Sequence, residues 1–225
     1  RPFFLYLSYY SVHTPLQAPK DRVAKYQKKP KGKRHKNATY AAMVESVDLS
    51  VGRIMRRLEK LGLTKNTVVI FTSDNGGHGK ITSHLPLRGN KGNFYEGGIR
   101  VPLIVKWPGV VKPTSTCNVP VISTDYYPTL LAMTGQPARP RQHVDGRNLV
   151  PLLKQTGTVK RDALYWHYPN YIGAGHPGGA RPCSVVRSGD WKLIESFETN
   201  RLELFNLKED LGEQVNLAAK MPAKA

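Results

Sequence analysis

The chain has 225 residues, a length that suits one or two globular domains with a true hydrophobic core. Its 34 lysines and arginines exceed its 16 aspartates and glutamates, which gives a formal net charge of +18. Two cysteines, Cys117 and Cys183, permit one disulfide at most and fit no metal-binding spacing, and no stretch is apolar enough to predict a membrane span.

Much of the basic excess lies in one segment, residues 25–36, which reads KYQKKPKGKRHK. Pro30 and Gly32 favour a solvated loop over a helix in this run. A positive charge of this size attracts polyanions, either nucleic acid or sulfated polysaccharide, by counterion release and steering. No nucleic-acid-binding motif accompanies it, so we expect a surface loop, with the rim of an anionic-substrate site as the alternative and no nucleic-acid partner.

The first half of the chain alternates strand and helix patterns. The apolar run at residues 3–7 predicts a strand. From residue 40 to residue 61 apolar side chains recur every three or four positions, which predicts an amphipathic helix ended by Gly62. The apolar run at residues 68–71 predicts a buried strand directly after it.

The same alternation continues beyond residue 100. Residues 101–106 predict another strand. Residues 125–133 predict a helix with Ser123 or Thr124 as its cap and Gly135 as its stop. Strands that alternate with helices imply an α/β sheet.

The pattern changes after about residue 160. Residues 183–187 and 191–195 flank a Ser-Gly-Asp turn and precede a third short apolar run, which predicts an antiparallel meander. We therefore divide the chain into an α/β domain at residues 1–160 and a small subdomain at 161–225. The aromatic, Pro-rich and Gly-rich stretch from residue 165 to 178 is interpreted as a loop, in which His167 and His176 either border a substrate or are structural.

Two oxygen-bearing side chains, Asp74 and Asn75, follow the strand at residues 68–71, where open α/β sheets place their chemistry. Carboxylate and amide oxygens suit Ca²⁺ best, with Mg²⁺ possible, whereas Zn²⁺ favours imidazole or thiolate. Lys91 stands in a glycine-bounded turn from which an ammonium reaches an anion held by such a metal. The alternative is a turn in which Asp74 and Asn75 bond their own backbone.

Three ordered motifs carry a resemblance to a known family: YYSVHTPL at residues 9–16, FTSDNGG at 71–77 and LRGNKGNFYEGGIRVPLIVKWPG at 87–109. Together they resemble the second half of a type I sulfatase of the alkaline-phosphatase superfamily, and similar segments extend the likeness over nearly the whole chain. The resemblance implies an α/β fold with a mixed or parallel sheet flanked by helices, followed by a small antiparallel α+β subdomain.

The resemblance also implies roles for four residues. Asp74 and Asn75 match the pair that completes a calcium site begun by two aspartates of the N-terminal half, which is not in this sequence. Lys91 matches the lysine that binds the sulfate and the leaving-group oxygen. His13 matches a histidine that has a similar binding role and takes part in protonating the leaving alcohol.

The nucleophile of such enzymes is a formylglycine made from a (C/S)-x-P-x-R motif, and this sequence has no such motif. The nearest approach, at residues 183–187, has Val185 where the proline belongs. We therefore expect the formylglycine in the missing half and an inactive isolated chain. The resemblance implies a periplasmic or extracellular protein, lysosomal in a eukaryote, and a sulfate-ester substrate, which the basic charge inclines toward a sulfated polysaccharide.

Two other functions remain open on the sequence alone. One is a phosphoryl or phosphonate ester hydrolase of the same superfamily, which Asn75 disfavours because histidine is usual there. The other is a non-catalytic module that binds sulfated polyanions. Among the remaining polar residues, Glu96 and Arg100 are expected to form a structural ion pair, His78 and His84 are interpreted as loop residues, and Arg88 has no firm role.

Overall fold

In a computed structural model, the protein is described at residues 1–172 and 180–225. The α-helices are α1 Lys20–Gln27, α2 Ala38–Lys60, α3 Glu96–Ile99, α4 Tyr126–Met133 and α5 Val150–Leu153. The strands are β1 Val69–Thr72, β2 Leu103–Lys106, β3 Leu164–Tyr168, β4 Cys183–Ser188, β5 Trp191–Ser196 and β6 Leu202–Asn206. No helix in these ranges has both the length and the apolar character needed to cross a bilayer.

The long helix α2 is the element that the sequence predicts most closely. The Asn37 side chain accepts a hydrogen bond from the backbone N–H of Tyr40 at 2.8 Å and so caps its first turn. Its apolar face buries Ala42, Met43 and Leu58. Gly62 follows with a φ of +67°, a left-handed conformation that ends the helix as predicted.

Helix α1 packs against α2 through polar contacts. Arg22 Nη1 donates to Ser46 Oγ at 2.7 Å, and Lys25 forms an ion pair with Glu45. The basic run at residues 25–36 therefore begins inside a helix, since α1 ends at residue 27, and the loop prediction is wrong for those first three residues. The rest of the run is non-helical and largely exposed, as predicted.

Strands β1 and β2 form an antiparallel pair, with Val69 opposite Lys106 and Thr72 opposite Leu103. Both strands were predicted, but β1 is half-buried rather than buried because β2 is its one neighbour in the part of the chain that the structure describes. Residues 3–7 are not a strand. They are exposed and pair with no described segment. An apolar run forms a strand only when a neighbouring strand accepts and donates its backbone hydrogen bonds.

Helix α4 begins differently from the prediction. Neither Ser123 nor Thr124 caps it, because both lie in or next to a short 3-10 turn that precedes it. The fully buried carboxylate of Asp125 instead organises this corner. It accepts hydrogen bonds from the Ile122 N–H at 3.0 Å, the Arg147 N–H at 2.8 Å and the Arg161 guanidinium at 3.0 Å.

The C-terminal part forms a four-stranded antiparallel sheet in the order β3-β4-β5-β6. The meander of the last three strands confirms the prediction. The stretch interpreted as a loop from residue 165 was misread at its start, because β3 occupies Leu164–Tyr168, whereas His176 lies outside the described residues. The boundary between residues 160 and 161 stays a prediction.

This sheet holds the main hydrophobic core, which also receives side chains from far upstream. The buried members are Cys183, Val185, Ile194, Phe205 and Leu207. Phe94 packs on Tyr168 with ring centroids 5.4 Å apart, and Tyr95 meets Phe205 edge-on at 6.3 Å. The segment that follows Lys91 is thus part of the core of the C-terminal sheet. The chain as a whole is an α/β protein with an antiparallel C-terminal sheet, as expected.

Candidate active site

Three backbone hydrogen bonds bring the predicted site segments together. The Lys91 N–H donates to the Gly77 carbonyl at 3.0 Å, and the Gly76 N–H donates to the Gly98 carbonyl at 2.8 Å. The Gly97 N–H donates to the Arg88 carbonyl at 2.7 Å. The loop after β1, the lysine turn and α3 therefore form one hydrogen-bonded unit.

Glycine is required at the closest of these approaches. A Cβ added to Gly76 would lie 1.9 Å from the Gly97 carbonyl oxygen, far inside van der Waals contact. Likewise, a Cβ on Gly98 would lie 2.1 Å from the Asn93 carbonyl oxygen. The DNGG and EGG sequences thus have a steric reason for their glycines, which is the close packing of two backbones.

The two predicted cationic residues are in direct contact. Lys91 Nζ lies 3.0 Å from His13 Nε2, although 78 positions separate them in the chain. His13 Nδ1 lies 2.8 Å from the Thr14 carbonyl, which only accepts, so Nδ1 carries a proton and donates it there. In the neutral ring Nε2 then accepts from the Lys91 ammonium. Both side chains are exposed.

The predicted metal ligands lie in the exposed turn after β1. The Asp74 carboxylate makes no hydrogen bond or ion pair within the described residues. The turn bonds run instead from Ser73 Oγ to the Asn75 carbonyl at 3.1 Å and from Thr72 Oγ1 to the Ser73 carbonyl at 3.3 Å. The turn therefore does not show the alternative, in which the side chains of Asp74 and Asn75 bond their own backbone.

These ligands fit a hard cation in their chemistry but not in their number. Within residues 1–172 and 180–225, no group of three or more His, Cys, Asp or Glu side chains converges on one point. Asp74 and Asn75 offer two hard oxygens, whereas Ca²⁺ takes about six to eight oxygen ligands. The structure joins this pair to Lys91 through the Gly77 carbonyl rather than by a direct side-chain contact.

His84 holds the glycine loop and was missed as a positioning residue. The Gly77 N–H donates to His84 Nε2 at 2.8 Å. Burial lowers the pKa of His84, and the nearby His35 lowers it further, so the ring stays neutral and able to accept. Gly77 and His84 both lie in non-helical loop, where no periodic spacing predicts which side chain meets which backbone group.

A fully buried charge cluster anchors α3 to the C-terminal sheet, and we refer to Glu96, Lys192 and Glu213 as the buried triad. Lys192 Nζ lies 3.1 Å from Glu96 Oε1 and 2.8 Å from Glu213 Oε1. The Glu96 N–H donates to Glu213 Oε2 at 2.7 Å. Burial raises the pKa of Glu213, and the Lys192 ammonium opposes that shift. The predicted pair of Glu96 with Arg100 is confirmed at 3.7 Å.

Arg88 also faces the C-terminal sheet. Its guanidinium lies 3.9 Å from the centre of the Tyr95 ring and donates to the Glu213 carbonyl at 2.8 Å. The Tyr95 hydroxyl donates to Glu203 at 2.8 Å, and burial together with that hydrogen bond raises the Tyr95 pKa to about 12. His167, left open by the sequence, lies 3.0 Å from Ser184 Oγ across the β3–β4 pair, as a structural histidine would.

Two family models match the chain. The model described as sulfatase covers residues 1–136, and the model described as N-sulphoglucosamine sulphohydrolase, C-terminal, covers residues 90–224. A sulfatase of Formosa agariphila is 40% identical over 242 residues, which takes in 99% of this chain and 43% of that protein. Human steryl-sulfatase is 37% identical over 183 residues, with 77% of this chain and 30% of that protein covered.

Among solved structures, the crystal structure of Ps i-CgsB in complex with k-i-k-neocarrahexaose superposes with a TM-score of 0.84 at 33% identity. The superposition covers 99% of this chain and 47% of that one. The fold is thus of the alkaline-phosphatase-like α/β class. On these matches, the chain belongs to the sulfatase family. It spans less than half the length of the relatives named here.

Proposed function

We propose that this chain is the C-terminal part of a calcium-dependent sulfatase that hydrolyses sulfate esters of a carbohydrate. In this proposal the chain supplies half of the calcium site through Asp74 and Asn75 and the sulfate-binding cations through Lys91 and His13. The contact of Lys91 Nζ with His13 Nε2 carries the proposal, because it places an ammonium and an imidazole nitrogen at one exposed point. The Gly77 carbonyl fixes the lysine turn beside the Asp74 turn.

The chemistry assigned to these cations follows from where charge develops. As the S–O bond of a sulfate ester breaks, negative charge grows on the bridging oxygen, and a fixed ammonium such as Lys91 stabilises it. A proton shared between Lys91 Nζ and His13 Nε2 is available to the leaving alcohol. The Nδ1–H bond to the Thr14 carbonyl holds the His13 ring in the orientation that this transfer needs.

The metal and the nucleophile both need residues outside this chain. Asp74 and Asn75 would hold a Ca²⁺ ion, or Mg²⁺, with further oxygen ligands from an N-terminal half. When bound, such a cation neutralises part of the sulfate charge. We place the formylglycine nucleophile in that half as well, so the isolated chain is proposed to be inactive.

A carbohydrate substrate and an exported location complete the proposal. The net charge of +18 favours a polyanionic ligand, and the structurally similar Ps i-CgsB was solved with a hexaose. Location in the periplasm, outside the cell or in the lysosome is inferred from family resemblance. No contact in the described residues favours a phosphoryl or phosphonate hydrolase over a sulfatase.

The test uses the full-length protein with the variants Asp74→Ala and Lys91→Ala, and with Asp145→Ala as a control for loss of an exposed carboxylate. We expect Asp74→Ala to abolish sulfate-ester hydrolysis and to lower bound calcium. Lys91→Ala should reduce the rate by about a hundred- to a thousandfold. Asp145→Ala should leave both unchanged.

Wild-type rates in a folded Asp74→Ala variant would refute the proposed metal site. Rates measured side by side on sulfate and phosphate monoesters separate the sulfatase from the alternative hydrolase. A wild-type protein that prefers the phosphate ester contradicts the proposal.

A further inference from the structure

A basic groove lies beside the candidate active site. Its cavity of about 650 Å³ is within the range of about 300–1,000 Å³ that small-ligand sites occupy. The residues that line it come from the basic run, from the loop after Gly77 and from the lysine turn. They include Arg34, Lys36, Lys80, His84, Arg88 and Asn90. We refer to this cavity as the basic groove.

The groove carries one sign of charge. None of the described residues that line it is acidic. Lys36 and Lys80 are exposed, and their side-chain ammonium groups make no hydrogen bond or ion pair within the described part of the chain. The Arg88 guanidinium is committed to Tyr95 and to the Glu213 carbonyl, and Arg34 donates to the Leu85 carbonyl, so Lys36 and Lys80 supply the uncommitted charge.

Two contacts hold the basic run against the groove. Arg34 Nη1 donates to the Leu85 carbonyl at 3.3 Å, and His35 Nδ1 lies 3.1 Å from Thr82 Oγ1. The segment is therefore docked on the loop between Gly77 and Lys91 and does not extend freely into solvent. The loop prediction from sequence left this docking undetermined, because both contacts join residues about fifty positions apart.

The groove is lined by the same loops that hold the proposed sulfate-binding lysine. Asn90 lines it and immediately precedes Lys91, while His84 lines it and holds Gly77, whose carbonyl binds the Lys91 N–H. Because these loops are shared, a carbohydrate with one sulfate at Lys91 and His13 has Lys80 and Lys36 as the uncommitted cations on the adjoining loops. Anionic substituents on neighbouring sugar residues would meet cations that have no partner in the described chain.

We propose that the basic groove is a subsite for a second anionic group, sulfate or carboxylate, of a carbohydrate chain. The protein then favours a substrate that carries at least two negative groups over a simple monosulfate ester. This inference rests on the proposed function for the sulfate ester at Lys91, but the groove itself is tested separately by binding.

The first test measures equilibrium binding of a disulfated glycosaminoglycan disaccharide to the 225-residue chain at low and moderate salt. The double variant Lys36→Gln/Lys80→Gln should bind about two- to thirtyfold more weakly, since each exposed ion pair is worth about 1.4- to 5-fold. Lys31→Gln/Lys33→Gln is the matched control, because it removes the same amount of charge at two positions of the basic run that do not line the groove. Its affinity should stay within twofold of wild type.

The second test measures hydrolysis by the full-length protein. The groove variant should raise KM for the disulfated disaccharide by a similar factor while leaving kcat and the rate on an aryl monosulfate unchanged. Equal losses in the groove and control variants would overturn the subsite, because overall charge would then explain the binding. Unchanged binding in the groove variant overturns it as well.

The outcomes separate this inference from the proposed function. A wild-type protein that hydrolyses both substrates, with a groove variant that binds as wild type does, refutes the subsite alone. A protein that hydrolyses no sulfate ester refutes the proposed function, while the binding of the disaccharide still decides whether the groove holds anions.

Discussion

Replacement of Lys192 by methionine should be among the most damaging single changes in the C-terminal sheet. Lys192 is the one cation of the buried triad, and it contacts both carboxylates with no measurable exposure to solvent. Methionine fills a similar volume but leaves Glu213 without a cation, whereas Glu96 keeps Arg187 at 3.5 Å and Arg100 at 3.7 Å. Removal of one partner from a buried ion pair costs about 3–5 kcal/mol, because the remaining charge stays desolvated and unpaired.

That magnitude is large for a chain of this size. One kcal/mol shifts the melting temperature by about 2–4 °C for domains of about 150–250 residues, so the variant should melt about 6–20 °C below wild type. Thermal unfolding followed by circular dichroism measures the difference. Lys208→Met is the matched control, since Lys208 is exposed within the turn that follows β6 and should change the melting temperature little.

The pH dependence gives an independent check on the cause. Burial already raises the pKa of Glu213 above its usual 4.5, and the loss of Lys192 should raise it further. A carboxyl with a raised pKa binds its proton more tightly in the folded state, so stability falls as the pH rises through that pKa. The gap between variant and wild type should therefore shrink from pH 8 to pH 5. A gap that widens at pH 5, or a melting temperature within 2 °C of wild type, would refute the reasoning.

Three further predictions follow from local geometry. Gly76→Ala should cost about 1–3 kcal/mol or more, because its Cβ meets the Gly97 carbonyl oxygen, and sulfate-ester hydrolysis by the full-length protein should fall with it. Asn37→Ala should cost about 0.5–2 kcal/mol in urea unfolding, since the Tyr40 N–H loses its cap, whereas Asn37→Asp should retain stability. Burial raises the pKa of the Cys183 thiol, so iodoacetamide should label it far more slowly than the exposed cysteine under native conditions.

Each of these has an outcome that contradicts it. A Gly76→Ala variant with wild-type stability and rate would mean that the two backbones are not in close contact. Equal stability of the Asn37→Ala and Asn37→Asp variants would mean that the cap contributes nothing. Equal labelling rates for both thiols would place Cys183 outside the core of the sheet.

Local patterns predicted local structure well. The apolar periodicity of α2 and its glycine stop depend on neighbours three or four positions away, and both are observed. The strand at residues 3–7 is predicted on the same local grounds and is absent. An apolar run shows a preference for extended backbone, but it does not show whether a second strand is present to pair with it. The β3 strand was missed for the converse reason, since its aromatic and proline-bordered sequence resembled a loop.

Contacts between residues far apart in the chain could not be predicted from the sequence pattern. Family resemblance predicts roles for His13 and Lys91, but no spacing rule predicts contact between residues 78 positions apart. Lys192 shares the buried face of β5 with Ile194, where alternation predicts an apolar side chain. Its partners, Glu96 and Glu213, come from other segments, so the buried triad was visible only in three dimensions.

The contrast between the tightly packed glycines and the exposed lysines of the basic groove bears on how such a protein changes over generations. Positions such as Gly76 and Gly98 tolerate no added atom, so random libraries that include them are expected to be mostly inactive. Lys36 and Lys80 are exposed, and their ammonium groups make no hydrogen bond or ion pair within residues 1–172 and 180–225. Selection for a new sugar can therefore act on the groove while the reacting centre stays intact. Laboratory evolution for altered specificity is best begun at these two lysines.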